Sequence, residues 1–218
     1  MSTANVKHVL IVGVGGLGRH MVQEALERGL SVSVMVRDRT KLEARLDAAT
    51  IGRLTNITIG DATDPAALNS AMQGVDVALS GNGAHPNMAA ELAAAVGRNG
   101  VQKLVWPAGG SNAMDEEGVT PAYKRYMEWW PGAEQVYLAH QACIDAIRDS
   151  GINHVIFGPG RMTSVGRRSV DVAATVRVNR VAGMQVSYED AAWVMLEAAT
   201  TEKWDRELVS AVTPSMPG

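Results

Sequence analysis

Short apolar runs rich in β-branched residues alternate with amphipathic stretches along nearly the whole chain. The apolar runs predict strands at residues 7–12, 31–36, 57–59, 75–79, 102–106 and 154–157. Helical spacing between them predicts helices at 17–28, 87–98 and 133–150, and the last of these puts Val136, His140, Cys143 and Ile147 on one stripe. Strands that alternate with helices predict a parallel sheet covered on both faces.

Two capping patterns predict further short helices. Thr40 with Glu43 forms a capping box, and Asp64 precedes a proline that suits the first position of a helix. Residues 172–178 predict an irregular or edge strand, and residues 188–200 predict a helix. Residues 107–132 break the rhythm with one short helix at 121–130, and loops this long in compact domains are usually functional, so we expect a lid.

These patterns predict an α/β fold, a Rossmann-type doubly wound parallel sheet in a single domain over residues 1–218. Residues 158–218 would form a small C-terminal elaboration on the substrate side.

Composition removes several classes of protein. With 46% hydrophobic residues and a net charge of −3, the chain is neither largely disordered nor basic enough to hold nucleic acid or a membrane generically. Its single cysteine, Cys143, allows no intrachain disulfide, and the polar start MSTAN does not resemble a signal peptide. We therefore expect a cytoplasmic monomer or homodimer with no nucleic-acid and no membrane partner. Scattered histidines without ligand spacing predict no metal site.

The turn after the first predicted strand carries the strongest motif. Gly13-Val-Gly15-Gly16-Leu17-Gly18 matches GxGxxG. Gly13 permits the tight turn, Gly15 lets a pyrophosphate approach, and Gly18 lets helix and strand pack closely. The helix that begins here presents free N–H groups to phosphate. The alternative is a glycine-rich turn that holds no ligand.

The end of the second predicted strand bears on cofactor choice. Nicotinamide dinucleotide sites that accept the 2′-hydroxyl usually place an acidic residue here, whereas arginine suits a 2′-phosphate. This chain has Arg37-Asp38-Arg39 at that point, with Lys41 close behind, and Asp38 comes one place late for the ribose role. The pattern favours NADP(H) over NAD(H). The alternative is a solvated charge cluster at a helix start.

With these motifs the chain resembles the atypical short-chain dehydrogenase/reductases, in particular the NAD(P)H-binding, NmrA-like group that contains biliverdin-IXβ and flavin reductases. The resemblance rests on the glycine turn and on VMVRDRTKL, Gly60-Asp61-Ala62, Lys103-Leu-Val-Trp and Val186-Ser-Tyr-Glu-Asp-Ala-Ala. It implies an NADPH-dependent reductase. It also implies residues beside the adenine, the middle of the dinucleotide and the nicotinamide, namely Asp61 with Ala62, Ser80-Gly81-Asn82, and Gly158-Pro159.

The sequence also departs from the family. Its turn is a residue shorter than Gly-x-x-Gly-x-x-Gly, and Tyr137 is followed by Gln141, so the YxxxK pair is missing. Because alcohol dehydrogenation usually needs a positioned base, an easily reduced conjugated acceptor is favoured. His140 falls where the biliverdin and flavin reductases place a histidine. The serine that relatives carry after the fifth strand is absent, and Ser111 lies further along.

Three residues are candidates for catalysis. His140 would bind the cofactor ribose or donate a proton, and the alternative is a histidine bonded within the core. Tyr137 would offer a phenol to the same site, and the alternative is surface packing. Ser111 would bond a substrate carbonyl, and the alternative is a role in shaping the loop.

Three more residues are candidates for a substrate lid. Trp129 and Trp130 would form a flat aromatic cover for a planar substrate, and the alternative is that they seal the core beneath the loop. Arg161 would attract an anionic substrate, and the alternative is a solvated face.

The sequence thus predicts an NADPH-dependent oxidoreductase that transfers hydride to a planar conjugated acceptor such as a flavin or quinone. Two alternatives stay open: a non-catalytic NADP(H)-binding redox sensor of NmrA type, and an NAD(P)-dependent epimerase or isomerase.

Overall fold

The computed structural model describes residues 5–214, so the first residues, on which the signal-peptide prediction rests, lie outside the described part. The strands are β1 His8–Val12, β2 Ser31–Val36, β3 Asn56–Ile59, β4 Val77–Ser80, β5 Lys103–Pro107, β6 His154–Phe157, β7 Arg161–Thr163, β8 Arg177–Val178, β9 Gln185–Ser187 and β10 Leu208–Ser210. The helices are α1 Gly16–Glu27, α2 Arg39–Glu43, α3 Ala48–Gly52, α4 Pro65–Ala71, α5 Pro86–Arg98, α6 Ala122–Tyr126, α7 Ala133–Asp149, α8 Val172–Thr175 and α9 Tyr188–Thr200.

The main sheet has the strand order β3-β2-β1-β4-β5-β6-β10-β8. Neighbouring strands are parallel, apart from β8, which runs antiparallel to β10. The chain winds outward from β1 in one direction and then from β4 in the other, which confirms the predicted Rossmann-type doubly wound sheet. The strand order reverses between β1 and β4, and this switch point is where such sheets open a cleft at the carboxyl ends of their strands.

The apolar strands are explained by cores on both faces of the sheet. Along β1, Val9 and Ile11 pack with α1 and α9, while Leu10 and Val12 pack with α4, α5 and α7. Because side chains alternate along a strand, a sheet covered on both sides needs an unbroken apolar run, which is the pattern observed in the sequence.

Local hydrogen bonds correct some of the predicted boundaries. The capping box predicted at Thr40 is wrong, because Asp38 caps α2 and accepts from the backbone N–H of Thr40 at 2.8 Å and of Lys41 at 3.2 Å. The strand predicted at 172–178 is also wrong in its first half, where α8 lies. The cap predicted at Asp64 is confirmed, since its carboxylate accepts from Ala66 N–H at 2.9 Å.

The C-terminal elaboration adds a small sheet beside the main one. Strands β7 and β9 pair in parallel, and α9 follows β9 directly with Ser187 as its cap. Asp190, in the first turn of α9, is fully buried and accepts from the hydroxyls of Ser169 at 2.8 Å and Thr213 at 2.7 Å. Within residues 5–214, no helix has the length and apolar character needed to cross a membrane.

Candidate functional site

The glycine turn lies at the switch point of the sheet. Gly13 adopts a positive φ of 87°, which favours glycine. A side chain at Gly18 would collide with the carbonyl of Gly13, so this glycine lets α1 pack on the turn. A Cβ on Gly15 would meet nothing within 4 Å. The turn is therefore packed at Gly18 and open at Gly15, where a ligand has room to approach.

The start of α1 has no side-chain cap. Gly15 is the N-cap residue, so no side chain accepts from the first N–H groups of the helix. Such groups are satisfied by water or by a ligand, and the partial positive charge of the helix end favours an anion. The neighbouring loop closes around the turn, since Gly81 N–H donates to Val12 O at 2.8 Å and Asn82 lies against Gly13.

A cavity of about 650 Å³ extends from the turn past the ends of β2 and β3. We call it the glycine-turn cavity, and its lining includes Gly13, Val14, Gly15, Arg37, Asp38, Lys41, Arg45, Asp61, Ala62, Thr63, Asn82, His85 and Met88. Among residues 5–214, no carboxylate forms an ion pair with Arg37, Lys41 or Arg45. This wall therefore offers three cations to an anionic ligand.

The acidic residues of the same cavity are engaged locally. Asp38 caps α2, and Asp61 accepts from the backbone N–H and hydroxyl of Thr63 at 2.9 and 2.8 Å. These hydrogen bonds, with a smaller contribution from the charge of Arg37, lower the pKa of Asp61. The carboxylates therefore do not neutralise the cations directly.

Four predicted cofactor residues take other places. Arg39 does not line the cavity, because its Nε donates to Glu43 Oε1 at 2.9 Å on the exposed side of α2. Gly16 packs against Tyr188. Ser80 is buried and donates to Asn82 O at 2.7 Å, so it shapes the loop. Gly158 packs beside Gly109 and Leu208.

A second cavity of about 630 Å³, which we call the aromatic cavity, lies across the same loop. Gly81 and Gly83 line it, whereas Asn82, between them, lines the glycine-turn cavity. A ligand that crosses the glycine turn would reach from one cavity into the other. The lining also includes Leu17, Pro107, Ala108, Gly109, Gly110, Ser111, Tyr126, Trp129, Trp130, Val136, His140, Pro159, Gly160, Arg161, Met162, Met184 and Gln185.

His140 projects from α7 into this cavity. A Cβ placed on Gly83 or Gly109 would lie 3.0 Å from its ring, so glycine at both positions leaves room for the imidazole. Its Nδ1 is buried and has no hydrogen-bond partner within residues 5–214. Burial lowers the pKa of His140, and the nearby backbone of Gly83 offsets only part of that effect. Burial thus favours the neutral form of the ring, and Nδ1 has no partner within the described residues.

The predicted partner Tyr137 lies elsewhere. Its ring stacks on Tyr123 with centroids 4.1 Å apart, and it is not among the lining residues of either cavity. The Asn112 amide donates to the Tyr137 carbonyl and to Gln141 Oε1, both at 3.1 Å. The positions that would carry the YxxxK pair therefore anchor the loop after β5. Ser111, in that loop, is buried and lines the aromatic cavity.

The predicted lid residues meet at the aromatic cavity. Trp129 and Trp130 stack with centroids 6.4 Å apart, and Tyr126 tilts against Trp129 at 5.7 Å. They are 60% and 38% exposed, which excludes the alternative that they seal the core. Arg161, the first residue of β7, is exposed and lines the same cavity.

Several lining residues were missed in the sequence. Lys41 and Arg45 are spaced four residues apart on one helical face after Arg37, a signal that could have added Arg45 to the predicted cluster. Met162 and Met184 carry no such signal, because they meet only through the pairing of β7 with the segment at β9. Within residues 5–214, no group of three or more His, Cys, Asp or Glu is arranged to hold a metal ion.

The profile of a protein family described as NAD(P)H-binding matches residues 13–202. The chain belongs to this NAD(P)H-binding family. The match confirms the predicted nicotinamide dinucleotide cofactor and, together with the fold, the resemblance stated from the motifs. No curated protein matches this NAD(P)H-binding chain with significant similarity.

Solved structures share the fold of this NAD(P)H-binding protein. A short-chain dehydrogenase/reductase from Veillonella parvula, in complex with NADP, is 16% identical with a TM-score of 0.74, and the match covers 96% of both chains. A putative epimerase from Bacteroides thetaiotaomicron is 18% identical with a TM-score of 0.72, covering 98% of this chain and 100% of the other. ChuY, an anaerobillin reductase from Escherichia coli O157:H7, is 14% identical with a TM-score of 0.69, covering 97% and 100%.

The residues of the turn fit a nicotinamide dinucleotide. Gly15 faces open space, the first N–H groups of α1 have no side-chain cap, and unpaired cations line the wall beyond. These are the features by which such folds receive a pyrophosphate and the phosphate-bearing end of the cofactor.

Proposed function

We propose that this protein is an NADPH-dependent oxidoreductase that reduces a planar, conjugated, electron-poor acceptor such as a flavin or quinone. The observation that carries the proposal is the aromatic cavity, which adjoins the glycine turn and combines exposed tryptophans with the buried, unpaired Nδ1 of His140. We further propose a cytoplasmic protein, monomeric or homodimeric, in which the buried Cys143 thiol forms no disulfide.

NADP(H) is proposed over NAD(H) because of the charges in the glycine-turn cavity. The N-terminus of α1 and the backbone at Gly15 would hold the pyrophosphate, and Asp61 with Ala62 would flank the adenine. Arg37 would bind the 2′-phosphate, with Lys41 and Arg45 adding to the positive field. The solved neighbour from Veillonella parvula, which is in complex with NADP, adds support at the level of the fold.

When bound, the cofactor supplies the hydride. The protein supplies position and exclusion of water: Trp129 and Trp130 offer a flat apolar surface against which a planar acceptor would stack. Hydride addition places negative charge on the acceptor. His140 lines the cavity, and its neutral ring would act as a fixed dipole near that charge. Water then delivers the proton that completes reduction.

A second candidate function is a non-catalytic NADP(H) sensor. It is favoured by Tyr137, which stacks on Tyr123 away from the cavity, and by Gln141 in place of a lysine. A cofactor site without a complete proton-transfer pair would bind the dinucleotide and report its presence through the surrounding loops.

The two candidates are separated by NADPH consumption. Purified protein is mixed with NADPH and then with FMN, riboflavin or a soluble quinone, with oxygen excluded so that reduced flavin accumulates. We expect acceptor-dependent loss of NADPH absorbance, faster than with NADH. Gly15→Val, which blocks the pyrophosphate turn, is the background control. Tight NADPH binding without oxidation by any of these acceptors would overturn the reductase and favour the sensor.

A further inference from the structure

Strand β7 brings Arg161 and Met162 to the aromatic cavity, but the strand has little support from sheet hydrogen bonds. Its only strand partner among residues 5–214 is β9, over the pairs that begin with Arg161↔Gln185 and end with Thr163↔Ser187. A two-stranded pair this short is only marginally stable on its own in water, because few contacts offset the conformational entropy that its backbone loses. Other contacts must therefore hold β7 in place at the aromatic cavity.

Glu189, the second residue of α9, supplies such contacts. Its Oε1 accepts from the Ser164 hydroxyl at 2.6 Å and from Gly166 N–H at 2.9 Å, and its Oε2 accepts from Val165 N–H at 3.2 Å. The side chain is only 11% exposed. All of its donors follow β7 directly in the chain, so one carboxylate ties the end of that strand with charge-assisted bonds.

The anchor itself is fixed to the glycine turn. Tyr188, next to Glu189, packs against Gly16, where an added Cβ would lie 2.9 Å from its phenol. The Tyr188 ring stacks on His20, one turn further along α1, with centroids 5.6 Å apart and planes 2° from parallel. His20 Nδ1 also lies 3.9 Å from Glu189 Oε1. The start of α9 is therefore held on the first turns of α1.

From this geometry we propose that Glu189 is a positioning residue for the aromatic cavity. It holds β7 at a set distance from the glycine turn, and so sets where Arg161 and Met162 meet an acceptor relative to the cofactor. This inference rests on the proposed function for its substrate. Glu189 itself lines neither cavity, so it acts through β7 and not by touching a ligand.

The test is Glu189→Gln, which replaces one acceptor oxygen with a donor facing other donors. We expect the KM for FMN to rise on the order of tenfold, the value of one lost bond to a charged group, while the Kd for NADPH changes by less than about twofold. Glu24→Gln is the matched control. Glu24 pairs with Arg28 on α1 at 2.8 Å and is 16% exposed, yet lies in neither cavity, so the KM for FMN should stay unchanged.

Ser164→Ala provides a milder variant if Glu189→Gln folds poorly. It removes one neutral donor from an exposed position, and we expect a rise of roughly threefold in the same KM. Equal losses of NADPH and acceptor binding, or an unchanged KM in both variants, would overturn the role of Glu189.

Hydrogen exchange separates this inference from the proposed function. In Glu189→Gln, the amides of residues 161–166 should exchange about tenfold faster, and those of α1 should not. This holds even if the wild-type protein reduces no acceptor, so failure of the reductase proposal leaves the positioning role testable. If residues 161–166 exchange at the same rate in Glu189→Gln as in the wild type, the positioning role of Glu189 is overturned.

Discussion

Replacement of Arg37 by alanine tests how the protein distinguishes its cofactors. Arg37 lines the glycine-turn cavity, forms no ion pair among residues 5–214, and acts electrostatically on Asp61 beside it. A charge-assisted bond to a 2′-phosphate is worth about 1.5–3 kcal/mol, or roughly tenfold to a hundredfold in affinity. Because Arg37 is exposed and Lys41 and Arg45 remain, we expect the lower end, about tenfold at 0.15 M salt.

The assay is fluorescence titration of NADPH and NADH with Arg37→Ala and with Arg39→Ala as matched control. Arg39 lies two residues away and carries the same charge, but its Nε is bound to Glu43 at 2.9 Å outside the cavity. Only Arg37→Ala should weaken NADPH, NADH should bind almost unchanged, and the loss should grow at low salt. Equal losses for both cofactors, or the same loss with Arg39→Ala, would refute the assignment of Arg37 to the 2′-phosphate.

Three other perturbations test the site and the fold. Gly15→Val should abolish NADPH binding but leave the Tm unchanged, because the valine side chain enters open space. Gly18→Ala should lower the free energy of unfolding by about 1–3 kcal/mol, because its Cβ would meet the Gly13 carbonyl. A lower Tm for Gly15→Val, or an unchanged Tm for Gly18→Ala, would contradict the geometry of the turn. His140→Ala should lower kcat with flavin by up to about a hundredfold and leave NADPH affinity intact; an unchanged kcat with a lower Tm would make His140 structural. Hydrogen bonds, first from Val119 N–H, lower the pKa of Asp115 to about 2, so its stabilising effect is present above pH ~4 and is lost as the pH falls towards 2. The Tm difference between wild type and Asp115→Asn should narrow over that range, and a constant difference would contradict the shift.

Periodicity in the sequence was sufficient for the first six strands of the main sheet, but it did not predict the short strands β7, β9 and β10. The predicted strands at 31–36 and 154–157 and the helix at 188–200 match the observed bounds, because unbroken apolar runs and amphipathic spacing follow from burial on both faces of a sheet. The capping prediction at Thr40 failed because the helix begins two residues earlier than predicted, where Asp38 accepts from the N–H groups of Thr40 and Lys41. The local pattern does not decide between these two starts.

The glycine turn was also determined locally, since its conformation depends on adjacent residues. The motif predicted close packing at Gly18 and an open approach at Gly15, and the structure shows Gly18 packed and Gly15 open. The sequence did not distinguish the roles of Arg37 and Arg39. Arg37 directly follows β2 and lines the cavity, whereas Arg39 begins α2 and its guanidinium binds Glu43 on that helix.

Only the tertiary structure decided which residues surround the aromatic cavity. Its walls come from loops after β4, β5 and β6, from α7 and from β7, which lie far apart in the chain. Tyr137 and His140 are neighbours on one helix, yet one ring stacks on Tyr123 and the other enters the cavity. The carboxylate of Glu189 reaches donors more than twenty residues earlier. Spacing along a helix fixes which face a side chain takes, whereas its partners depend on which other segments the fold brings to that face.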